Sequence, residues 1–370
     1  MKMKYLRQLL LIVLLAMAVT PSVAAEGEKP SVDVKSILWG HIKDSYEWHV
    51  TSIGDHPVAI HLPVMVKASG GWYFGCSSDF EEEPIEEGAL KGYRKGPEGT
   101  NLYIAGEGSA YENKIVELMP DGAEVRPFDI SITKTVAFLF VTAIVLLLCV
   151  LLPAHWCRKH KVDDPAPKGF TGFMHMFVMY VYEDVIESIL GKDEAPKYAP
   201  YLLTCFFFIF TSNVLGIIPF PPFGGNLTGN IACTFFLALC TFLVVNLTGS
   251  KEYWKEIFWP EVPAWLKAYP VAIMPFIEFF GIFTKPFALM IRLFANMMAG
   301  HAIALSFACI IFIMWGINAF AGVSMTVVSV AMSVFMMLLE VLVCFIQALV
   351  FTMLSAIFLS LAHVQPHEAH

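Results

Sequence analysis

The pattern of hydrophobic and polar positions changes character near residue 130. Upstream, the apolar pieces are short: Val58 to Val66, Gly71 to Phe74 and Leu102 to Ile104, broken by Gly, Pro and acidic residues. Short runs between such breakers predict a small domain, β-leaning or irregular, over residues 26–129. Downstream, the runs reach the width of a bilayer. Ile130 to Leu152 predicts a first transmembrane helix over 130–153. Gly169 to Gly191 is aromatic and apolar but gathers Glu183, Asp184 and Glu187 near its end, which predicts an amphipathic helix lying on the cytoplasmic membrane face over 168–192. Tyr201 to Pro219 and Ile231 to Leu247 are each about one bilayer long, and the Pro/Gly stretch PFPPFGGNLTGN joins them, so 200–248 reads as a transmembrane hairpin.

From Val271 to Ala362 the chain is almost continuously apolar, and its best break is Gly316 to Gly322. A helix from Val271 to Trp315 would be ~65 Å long at ~1.5 Å per residue, against a hydrocarbon core of ~30 Å. Pro275 and Pro286 can kink its first half, but no turn signal follows Pro286 before Gly316. The pattern therefore predicts two long, strongly tilted helices over 271–362, with four upright spans as the alternative. Such tilt requires protein on at least one side. The fold class is an all-α polytopic membrane protein of about five transmembrane helices, with a surface helix and an exported N-terminal segment.

Composition agrees: 57% of residues are hydrophobic and 15% charged, too apolar for an ordinary water-soluble domain. Residues 1–25 have the make-up of a cleaved signal peptide: Lys2, Lys4 and Arg7, then an apolar run from Leu9 to Val19, then Val23-Ala24-Ala25. Residues 26–129 carry nineteen acids against nine lysines and arginines, whereas the first apolar run ends in the basic cluster His155 to Lys161. The positive-inside rule then places the N-terminal segment outside and Lys161 in the cytoplasm. Eight cysteines show no metal spacing, and only Cys76 falls in the exported part, so no disulfide framework is implied. His41, His49, His56 and His61 could bind a metal or collect protons, but their spacing matches no known ligand set, which favours surface or packing roles.

The polar residues of the last apolar hairpin are few: Glu278, Lys285, Arg292, Asn296, His301, Glu340 and Gln347. Ionisable groups within a bilayer are expensive and by default mark a path for ions or substrate. Glu278, Lys285 and Arg292 follow at seven-residue spacing and share a face, which Asn296 continues. His301 is turned roughly half a turn away from Arg292. In an antiparallel hairpin, Arg292 opposite Gln347 and His301 opposite Glu340 imply the same turn, near residue 320, where Asn318 and the flanking glycines lie. Arg292 cannot release its proton, so it can hold a carboxylate ionised but not relay protons. His301 and Glu340 can both titrate. Small residues around the arginine, Ala288, Ala295, Ala299 and Gly300, let another helix approach and bring the carboxylate this chain lacks there.

TKPFALMIRLFANMMAGHAI and LEVLVCFIQALVFTMLSAIFLSLA resemble the arginine motif and the closing helix of subunit a of F-type ATP synthases. SNVLGIIP followed by NLTGNIACTFFLAL resembles that family's preceding hairpin, so the likeness runs from about Phe170 to Ala362. The long N-terminus behind a signal resembles the form of Bacteroides-like bacteria. The resemblance implies a non-catalytic proton-channel subunit in the bacterial inner membrane, N-terminal segment periplasmic and C-terminus cytoplasmic. It implies as partners the c-ring, the peripheral-stalk b subunits, the rest of the F0F1 complex and membrane lipid, with no cofactor and no nucleic acid. Arg292 matches the family's essential arginine, and Asn296 and Gln347 match polar residues beside it. His301 stands where the bacterial pattern has glutamate and Glu340 where it has histidine, so the pair is kept with its members exchanged. Glu278 and Lys285 would line the inner half-channel, His301 and Glu340 the outer one. A stand-alone ion-coupled secondary transporter is the competing function, but visible internal repeats and broken-helix pairs are absent. An intramembrane metalloenzyme built on the histidines would lack HExxH.

Overall fold

A computed structural model of the chain describes residues 44–363, apart from 54–55, 82–83, 86–89, 98, 107, 161–164, 166, 219–221, 259–272 and 318. The predicted signal over 1–25, His41, Lys161 and Asn318 lie outside the described residues.

The short apolar pieces of the N-terminal part form antiparallel strands. β1 (Glu47–Ile53) pairs with β2 (His56–His61). β3 (Pro63–Ala68) lies between β4 (Gly71–Cys76) and β9 (Phe128–Asp129). β5 (Arg94–Lys95), β6 (Leu102–Ile104), β7 (Ile115–Leu118) and β8 (Glu124–Val125) form a third sheet in that order. β3 shows the two-residue period directly: Val64 and Val66 are fully buried while Pro63 and Lys67 are exposed. The buried face packs with Tyr46, Phe80, Leu102, Ile104 and Ile115 into one small core.

This domain is tied to the first membrane helix, α1 (Lys134–Lys159). The β3 pairing continues past β9, because Ile130 and Ile132 donate their N–H groups to the carbonyls of Met65 and Pro63. That extended pairing makes the helix start four residues later than the predicted 130, and it runs through Pro153 to the basic Arg158 and Lys159, past the predicted end at 153. Asp44 Oδ1 accepts from the Thr135 backbone N–H at 3.0 Å and from the Thr135 hydroxyl at 2.8 Å, so an acid from a distant segment satisfies one of the free donors at the helix start. Lys134 N–H donates to the Ser45 carbonyl, and Trp48 packs with Phe138 and Leu227.

α2 (Gly169–Tyr180) runs through a π-helical turn, Val181–Glu187, into α3 (Ser188–Ile217). Gly191, at φ 77 and ψ 168, breaks the helix there, a conformation that essentially only glycine adopts. The break falls where the sequence predicts the surface helix to end. Before it, Met174, Val181, Val185 and Ile186 are buried while Phe170, Phe173, Glu183 and Asp184 are exposed, a two-sided pattern. The stretch between the two predicted apolar segments is helical as well, despite Pro196 and Pro200, and buries Ala195, Tyr198 and Ala199.

α4 (Ile231–Thr248) and α5 (Lys251–Phe258) precede the long hairpin of α6 (Ile273–Ile317) and α7 (Ala319–Ala362). With 45 and 44 residues, each is ~65 Å long and about twice the hydrocarbon thickness. Two long helices, not four upright spans, make up this region. Leu202, Phe206 and Ile209 of α3 pack with Phe351, Ala356 and Leu359 of α7 and with Leu289 and Leu293 of α6. Among the described residues, five helical stretches are long and apolar enough to cross a membrane.

Candidate functional site

The α6–α7 hairpin is antiparallel, and its contacts follow one another in register. Near the turn, Trp315 Nε1 donates to Thr326 Oγ1 at 3.1 Å. Further along, Gly300 faces Glu340 so closely that a Cβ there would lie 2.7 Å from Oε1. Asn296 Nδ2 then donates to Gln347 Oε1 at 2.7 Å. At the far end the Lys285 ammonium sits 5.7 Å from the centre of the Phe358 ring. α6 ends at Ile317 and α7 begins at Ala319, close to residue 320, where the spacing of polar residues sets the turn.

Arg292 is exposed on α6 and has no hydrogen-bond or ion-pair partner among the described residues. Its neighbours Leu289 and Leu293 face the other way and are buried. A guanidinium presented on an apolar helix surface without a counter-ion is a costly arrangement unless another group meets it. Gln347, read as level with Arg292, is buried and spends its carbonyl on Asn296, one turn further along.

His301 and Glu340 are brought to the same level but not into direct hydrogen-bond contact. His301 Nε2 and Glu340 Oε1 are each buried without a partner, two open hydrogen-bonding positions in an apolar setting. The Lys134 ammonium at the start of α1 is near enough for its charge to act on His301. The loop before α4 also reaches this end, where Asn226 Nδ2 contacts Met298 Sδ at 3.8 Å. One further buried polar residue of the membrane helices is missed by the sequence reading. Asn213 on α3 is buried, accepts from Thr228 Oγ1 at 2.5 Å and leaves its Nδ2 unpartnered. Its signal was available: an asparagine inside the apolar run of α3, of the kind that made Asn296 stand out.

Glu278 and Lys285, both half-buried, lie toward the opposite end of α6. Burial, and after it the Glu278 carboxylate, push the Tyr253 phenol above its usual range, which places Glu278 beside α5. That end is closed by Tyr198, whose hydroxyl is 2.6 Å from His363 Nε2, and by the Ser250 N–H, which donates to the Ala362 carbonyl at 2.9 Å. In the N-terminal domain, His61 Nδ1 lies 3.3 Å from Ser77 Oγ, and among the described residues no three His, Cys, Asp or Glu side chains gather to hold a metal.

Fold and site together define a polytopic helical membrane protein whose two longest helices carry an arginine and two titratable groups that, among the described residues, have no hydrogen-bond partner. Residues 136–360 match the family model described as ATP synthase A chain, and the chain belongs to that family. Residues 37–130 match a second model, described as a domain of unknown function, DUF8433. The ATP synthase subunit a of Myxococcus xanthus is 38% identical over 202 residues, covering 53% of this chain and 63% of that protein. That of Chlorobium phaeobacteroides is 40% identical over 218 residues, covering 55% of this chain and 60% of that protein. That of Chloroherpeton thalassium is 38% identical over 247 residues, covering 67% and 70% respectively. The chain thus spans somewhat less than two thirds of the first two relatives.

Proposed function

We propose that the chain is the proton-translocating stator subunit of an F-type ATP synthase, non-catalytic itself, seated in the inner membrane beside a c-ring and held by peripheral-stalk b subunits. The N-terminal domain would then face the periplasm and the C-terminus the cytoplasm. The observation that carries this is Arg292: a permanent cation exposed on the longest helix, with no acid among the described residues to meet it. A carboxylate brought past it by a rotor satisfies the charge and is held ionised while it does so. The arginine cannot itself pass a proton on, so it separates two paths instead of joining them.

Protons would enter along His301, Glu340 and Asn213, whose unpartnered atoms can bond to water or to one another through water. They would leave along Glu278 and Lys285. Asn296 and Gln347, bonded to each other, line the hairpin beside the arginine. The test is Arg292→Ala in the assembled complex: ATP-driven proton pumping into inverted vesicles is abolished while the subunits still copurify. Pumping at the normal rate overturns the proposal.

A further inference from the structure

The three-stranded sheet β4-β3-β9 has one face in the domain core and one face turned outward. An outward face in water is normally polar. Here it holds Trp72 (48% exposed), Phe74 (68%), Phe128 (63%) and Ile130 (53%). The rings form a continuous surface, with Trp72 stacked on Phe74 at 5.8 Å and edge-on to Phe128 at 6.4 Å. Alternation along the last strand sets Arg126, Phe128 and Ile130 outward while Pro127 and Ser131 are buried, and Lys67, paired with both Trp72 and Phe128, is exposed among them. Among the described residues the charges on this face are therefore two cations, in a domain where acids outnumber bases about two to one.

Place and chemistry point to one occupant. Ile130 stands four residues before Lys134, so at ~3.3 Å per residue the patch begins within ~13 Å of the membrane helix. The domain lies low against that helix, because Trp48 packs on Phe138, a full turn inside it. Beyond it the apolar surface continues along α1 through exposed Val136, Phe140 and Ile144. Aromatic rings with lysine and arginine, and no acid among the described residues of the face, match the boundary between hydrocarbon and anionic headgroups. We propose that this sheet face is a membrane-resting surface, its rings in the headgroup layer of a phospholipid leaflet and Lys67 and Arg126 on lipid phosphates. The proposal does not depend on the proton path.

Hydroxyl-radical footprinting of the full chain alone, in vesicles of phosphatidylethanolamine and phosphatidylglycerol, tests it against Tyr111, an exposed residue of the same domain (37%). Phe74 and Phe128 should be oxidised about threefold less than Tyr111 despite their greater exposure, and Lys67→Glu with Arg126→Glu should remove that protection while Phe80 in the core stays protected. Oxidation in proportion to exposure overturns the proposal. So does protection that arises only in the assembled complex, since a protein and not lipid then covers the face.

Discussion

Asn296 on α6 and Gln347 on α7 are joined across the long hairpin by a 2.7 Å hydrogen bond, one turn beyond Arg292. Gln347 is buried there, so the bond satisfies a group that has no water to turn to. The Gln347 carbonyl is thereby taken up by Asn296, while among the described residues Arg292 has no hydrogen-bond or ion-pair partner.

Breaking this bond from either side should therefore cost more than removing it whole. Asn296→Ala leaves the Gln347 carbonyl unpartnered, at about 1–3 kcal/mol, whereas the double change to alanine relieves that penalty. Pumping rates and thermal stability of the four variants complete a double-mutant cycle. Strictly additive losses would show that the two side chains do not act together. Cysteines at the two positions should also cross-link.

Gly300 offers a finer probe of the Glu340 carboxyl. A Cβ at Gly300 would stand 2.7 Å from Glu340 Oε1 and 3.0 Å from Cδ, the mobile end of a side chain, so Gly300→Ala should fold and shift the carboxyl instead of the helices. The expected result is normal assembly with slowed pumping, partly restored when Glu340→Asp shortens the side chain. Unchanged pumping in Gly300→Ala would remove Glu340 from the path. Exchanging His301 and Glu340 together should likewise restore more activity than either single change.

The N-terminal β domain carries a pH signature of its own. Asp79 is held below the usual carboxylate range, first by the Cys76 backbone N–H at 2.8 Å and then by the Tyr73 hydroxyl at 2.7 Å. A depressed folded-state value means that the contribution is complete above the unfolded value, about 3.9, and is lost as pH falls through the folded one. Acid unfolding of the β domain should therefore flatten below about pH 4 in Asp79→Asn. Identical acid limbs in the two proteins, followed by tryptophan fluorescence, would exclude the carboxylate.

Much of this was legible in the sequence, and the reasons differ by region. The seven-residue spacings of Glu278, Lys285 and Arg292 and of Glu340 and Gln347 gave the shared faces, because a helix repeats its faces whatever surrounds it, and setting His301 opposite Glu340 pointed to a turn near residue 320, beside the break at Gly316 to Gly322. Contacts were less legible. The spacing sets Gln347 only near the level of Arg292, and a long side chain reaches a turn along its partner helix, where it bonds Asn296. The late start of α1 was hidden for a different reason. Nothing local to Ile130 tells that Met65 and Pro63 will hold the chain extended as far as Ile132.

That same region gives the last prediction, because the N-terminus of α1 depends on a residue ninety positions away. Asp44 Oδ1 receives both the Thr135 N–H and its hydroxyl, while its other oxygen lies 3.5 Å from the Lys114 ammonium. The acid thus ties the β domain to the helix that carries Lys134, whose charge reaches His301. Asp44→Ala removes the tie and should cost about 1 kcal/mol at the helix start. Asp44→Asn keeps an oxygen for Thr135 and loses only the charge. Hydrogen exchange at the Thr135 amide should accelerate about fivefold in the alanine variant and far less in the asparagine one, since RT ln 5 is close to that cost. If domain and helix were merely adjacent, exchange would be equal in the two variants and proton entry unaffected in both. A rigid tie instead predicts that pumping falls in step with the exchange rate, because the β domain then holds the start of α1 in place.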